Sequence, residues 1–132
     1  MKTQLKNFSV VLSASVLLAA LASPLGAEDA KQPKHSIKDV MKEVHKGDDN
    51  IGKRVTKGAA SRDDIAKMVE YYESLPANEP PRGEKASWVA KTGKLLTAAR
   101  AVKTGAPGAL DQYKEAANCK ACHSEHKPVE KK

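Results

Sequence analysis

From Ser36 to His126 the apolar residues recur at steps of three and four, and no run alternates apolar with polar as a half-buried strand would. That spacing commits the chain to helices. The first segment opens at Ser36, an N-cap residue type, and carries Ile37, Val40, Met41, Val44, Ile51 and Val55 on one stripe. Gly47 and Gly52 weaken it, so it reads either as one helix to about Lys57 or as two pieces. The second opens at Ser61, with Asp64 in a capping-box position, and carries Ile65, Met68, Val69, Tyr72 and Leu75 until Pro76 stops it. Residues 76–83, with Pro80, Pro81 and Gly83, read as a stiff connection. A third helix runs from about Glu84 to Val102 along Trp88, Thr92, Leu95, Ala99 and Val102. After Gly105, Pro107 and Gly108 a fourth runs from about Ala109 to His126, with Leu110, Tyr113 and Ala117 inward. Four such helices with short connections predict an all-α fold, an antiparallel four-helix bundle.

Residues 1–27 read as a secretory signal peptide. Lys2 and Lys6 precede an apolar run from Val10 to Leu21, and small residues lead to a cleavage site after Ala27. The run is too short to span a bilayer comfortably, so the expected product is a periplasmic protein with no membrane association after cleavage. Residues 28–35 form an N-terminal extension, 36–127 one domain, and 128–132 a basic tail. Phe8 leaves with the signal, so the aromatic stock of the mature chain is Tyr71, Tyr72, Trp88 and Tyr113. That is a thin core for about a hundred residues. A bound apolar cofactor would supply the missing bulk, and the chain without it is expected to fold poorly.

Such a cofactor has an attachment point. Cys119-Lys120-Ala121-Cys122-His123 has the Cys-x-x-Cys-His spacing of c-type haem attachment. Residues three apart share a helix face, so both thiols can add to the two vinyl groups of one haem, and the adjacent histidine reaches the iron as proximal ligand. Three other readings stand beside this one. A redox dithiol wants a βαβ context, which no strand-like run provides. A zinc site would recruit His126 with His123, but structural zinc usually draws on two separated pairs of ligands. The third is an ordinary disulfide.

With this motif on the last helix and Met41-Lys42 on the first, residues 35–127 resemble the class II c-type cytochromes, the family of cytochrome c′ and its low-spin, methionine-ligated relatives. The resemblance implies the bundle fold, one covalent haem c, His123 as proximal iron ligand and Met41 over the distal face as the sixth. It also implies a homodimer through the first two helices, with Tyr71 and Tyr72 either at that contact or in the core. Where relatives often carry an aromatic and then a basic residue after the motif, this chain has His126 and Lys127, and Ser36 and Ile37 stand where a basic residue often precedes Met-Lys. His45, one turn beyond Met41, is the rival distal ligand, although its neighbours Lys42, Glu43 and Lys46 suit a surface position.

Two functions follow from the distal side. Met41 on the iron suits a soluble one-electron carrier exchanging with redox partner proteins, whereas a five-coordinate iron with Met41 as a steric gate suits a protein that binds nitric oxide or carbon monoxide. No enzyme activity is expected, since no distal Arg and His pair is arranged for peroxide cleavage. The whole sequence carries a formal charge of +7; without Lys2 and Lys6, 21 basic residues face 16 acidic ones. A surplus of +5 spread along the chain, densest at Lys127, Lys131 and Lys132, suits an acidic protein partner and does not indicate nucleic acid.

Overall fold

The computed structural model describes residues 32–129; the signal-like segment 1–27, the start of the extension and the last three residues of the tail lie outside it. Every element among the described residues is helical, and none is a strand. Helix α1, Ile37–Val40, starts on a capping box: the Ser36 hydroxyl accepts from the Asp39 amide at 3.1 Å, and the Asp39 carboxylate accepts from the Ser36 amide at 3.0 Å. It continues as a π-helical turn, Met41–His45, and stops. Asn50 then caps α2, Ile51–Thr56, so the first segment is two pieces with the break at residues 46–50. Asn50 also ties that break together, donating to the carbonyl oxygens of His45 and Gly47 at 2.9 and 2.8 Å.

Helix α3, Arg62–Glu73, opens on the capping box of Ser61 and Asp64. Helix α4, Lys85–Thr104, ends at Gly105, whose φ of +70° gives the left-handed C-terminal cap that a side chain would strain. Helix α5, Ala109–Ala116, is followed by α6, Cys119–His126. A single helix from Ala109 to His126 was expected, and the chain instead breaks at Ala117 and Asn118. The Asn118 side chain competes with helix continuation by accepting from the Ala121 amide at 3.1 Å, which starts a new helix at Cys119.

Helix α4 is central: it packs against α3 and α5 along its length and receives α6, while α2 packs on α3 and α5. Val40, Val44, Ile51 and Val55 meet Met68, Val69, Tyr72 and Leu75 from the second stripe, Trp88 and Ala99 from the third, and Tyr113 from the fourth. Burying each of the larger apolar side chains contributes about 1.5–3 kcal/mol. Tyr72 belongs to this core and to no surface contact, since it is fully buried. Tyr71 is partly buried and stacks on His35 with ring centroids 4.0 Å apart.

Candidate functional site

Helix α6 is held by its C-terminal half, which leaves the motif free to line a cleft. His126 is 2% exposed and stands edge-on to Trp88, ring centroids 5.4 Å apart. Its Nδ1–H donates to the Arg82 carbonyl oxygen at 2.9 Å, and its Nε2 is 3.4 Å from the Ser87 hydroxyl. Arg82 in turn donates to the Ser124 carbonyl oxygen at 2.7 Å, and Lys91 pairs with Glu125. Gly83 makes room for this ring, because a Cβ there would come within 2.7 Å of His126 Nδ1. At the position where the relatives named above often carry an aromatic residue, the structure turns His126 into the body of the fold.

The same clamp removes His126 from any metal shared with Cys119, Cys122 and His123. Among the described residues no three His, Cys, Asp or Glu side chains are grouped to hold a metal ion by themselves. The four-ligand zinc reading therefore has no geometry behind it. Both cysteines are free thiols. Burial pushes the Cys122 thiol up, with Lys91 opposing, which is the reverse of the activated thiolate a dithiol oxidoreductase needs.

Cys119, Cys122 and His123 line a cleft of about 370 Å³ together with Met41 and His45. Leu75, Trp88, Thr92 and Leu95 also line it. A second cleft, of about 750 Å³, adjoins it and shares Met41, His45, Trp88, Cys122 and His123. Both volumes fall in the range of cofactor sites. All five site residues singled out from the sequence are thus brought to one place. His45 faces inward although its neighbours Lys42 and Lys46 are exposed. The π-helical turn holds both Met41 and His45, and such turns are frequent at functional sites. Burial lowers the His45 pKa, and the nearby His123 lowers it further, so His45 is a neutral imidazole at neutral pH.

No protein-family model, curated protein or solved structure matches the chain. The site therefore rests on its own chemistry. Two free thiols three residues apart and an adjacent histidine on an apolar cleft are the groups that a covalent haem requires, Met41 lines the same cleft, and the residues present fit it.

The sequence stripes place Tyr72 and Tyr113 inward but give no sign that the two meet. Their hydroxyls lie 2.9 Å apart in the core, and the Tyr72 hydroxyl lies 2.9 Å from His45 Nε2. Burial raises the pKa of both phenols, so they stay protonated and able to donate. Gly52, which weakens α2 as a helix former, is the floor under His45: a Cβ there would sit 2.9 Å from His45 Nδ1. Trp88 donates its indole N–H to the Leu75 carbonyl oxygen at 2.7 Å, fixing the ring between the two clefts.

Proposed function

We propose that the chain is a monohaem c-type cytochrome that carries single electrons between proteins of the periplasm. The observation that supports this most is the one cleft lined by Cys119, Cys122, His123 and Met41 together. A bound haem supplies a reversible one-electron couple, whose potential is raised by methionine ligation relative to two histidines. Cys119 and Cys122 would fix it through thioether bonds, His123 would hold the iron from α6, and Met41 would offer its sulfur from the π-helical turn. Leu75, Leu95 and Trp88 keep water from the apolar part of the cleft.

The same proposal takes the fold as the antiparallel four-helix bundle of the class II c-type cytochromes. The first arm is α1 with α2, the second α3, the third α4, and the fourth α5 with α6. The packing of α3 on α4, α4 on α5, and α2 on both α3 and α5 supports it. Export rests on residues 1–27, and among the described residues no helix is long and apolar enough to cross a membrane.

Optical spectra of the ferric and ferrous protein, purified from a periplasm with haem-attachment machinery, test this reading. The expected result is a low-spin spectrum with a weak sulfur-to-iron band in the near infrared, lost in Met41→Ala. A high-spin ferric spectrum with rapid carbon monoxide binding by the ferrous protein would replace the carrier with the gas binder.

A further inference from the structure

Met41 and His45 line the same clefts as His123, so on the haem reading the chain offers two candidate distal ligands where one is used. Imidazole is the stronger donor of the two to ferric iron. Something must therefore set the choice, and the surroundings of His45 supply it. Its Nε2 lies 2.9 Å from the hydroxyl of Tyr72, and the two rings lie nearly parallel, 16° apart. On its other edge the backbone of Gly52 approaches so closely that a Cβ would sit 2.9 Å from Nδ1 and 3.1 Å from Cε1. One ring nitrogen is hydrogen-bonded and the other is covered. Met41, on the same turn, is partly buried and packs against the core through apolar contacts.

The hydroxyl that holds His45 is itself held. Tyr72 is fully buried, and the equally buried Tyr113 places its own hydroxyl 2.9 Å away. Tyr72 can donate one hydrogen bond and accept another, so the chain from Tyr113 through Tyr72 to His45 satisfies its central hydroxyl completely. Swinging His45 toward the iron would break this chain: the two phenols would still bond each other, but one O–H of the pair would lose its acceptor in the core, which is costly where water cannot replace it.

We propose that Tyr72, anchored by Tyr113, is a positioning residue that withholds His45 from the distal face and so selects Met41 as the sixth ligand. This rests on the haem reading above. It makes the electron carrier a high-potential one through a residue that need not touch the iron, and it gives the two tyrosines a role beyond packing.

Tyr72→Phe in the haem-loaded protein removes the bond and keeps the ring. The expected result is loss of the near-infrared sulfur band, an electron paramagnetic resonance spectrum of two-histidine ligation, and a lower reduction potential. Tyr72→Phe combined with His45→Ala should restore the sulfur band, which a general loosening of the core would not do. Retention of the band and potential in Tyr72→Phe overturns the proposal. If Tyr72→Phe fails to accumulate, Tyr113→Phe is read in its place: it should give a mixture of the two ligation states, and a fully methionine-ligated spectrum overturns the proposal. Wild-type protein without a sulfur band overturns the ligand assignment and this inference together, whereas a wild-type band that survives in the tyrosine variants overturns this inference alone.

Discussion

His126 shows how a single buried side chain can anchor the helix that carries a site. It lies three residues beyond His123, and its ring is closed in by Trp88, the Arg82 carbonyl and Ser87. Removing it would leave a cavity and an unpaired carbonyl beside Trp88. His126→Ala should therefore cost about 3 kcal/mol, measured by urea unfolding. A cost below about 0.5 kcal/mol, the size typical of neutral surface changes, would mean that the ring does not anchor α6. Its neighbour in sequence, His123, is exposed and faces the cleft. The Cys-x-x-Cys-His motif was legible from residue types alone, because thiols and imidazole at that spacing serve few chemistries. The inward turn of His45 was not, since its charged neighbours mark a surface and only the π-helical turn reverses that.

At the scale of the element, α6 is eight residues long and too short to hold its shape alone. It depends on the Asn118 cap at one end and the His126 clamp at the other. An N-cap of this kind contributes about 1 kcal/mol. Asn118→Ala should speed amide hydrogen exchange at Cys119–Cys122 several-fold with little change in α3 and α4; unchanged exchange at the motif would contradict the capping role. The helical stripes were readable because the core positions from Val40 to Tyr113, Ala98 apart, fall on three- and four-residue steps within each segment. The break between α5 and α6 was not, because Ala117 fits the stripe and only the Asn118 side chain, a local competitor for backbone hydrogen bonds, ends the helix. The Gly52 case is similar: its low helix propensity is visible in sequence, but its contact with His45 joins residues seven apart across a break.

At the scale of the whole molecule, exposed and half-buried carboxylates link segments separated in sequence. Glu70 pairs with Lys34, Glu43 with Lys67, Asp64 with Arg54, Glu115 with Lys94 and Glu125 with Lys91. In each case the hydrogen bond to the cation holds the carboxyl below its ordinary range. Asp64, gripped by Arg54 at 2.7 and 3.2 Å and by the Ser61 amide, falls from 3.8 to about 2. A carboxyl depressed on folding binds protons more readily in the unfolded chain, so its contribution is present above its unfolded pKa and is lost as pH falls through the folded one. Stability should therefore fall with acid, Asp64 giving its part up between pH 3.8 and about 2, and Asp64→Asn should lose less over that window than wild type. Equal acid slopes for the two in urea unfolding would contradict the pairing. The pairs range from exposed to half-buried and none is fully enclosed, so the slope should be modest and should shrink in high salt.

The central claim is that Cys119 and Cys122 carry one haem. Intact mass spectrometry of the protein, purified from a periplasm with haem-attachment machinery and extracted with acidified acetone, tests it most directly. The account predicts the mass of the processed chain plus one haem, retained through extraction and lost in Cys119→Ala combined with Cys122→Ala. A wild-type mass equal to that of the chain alone would contradict it.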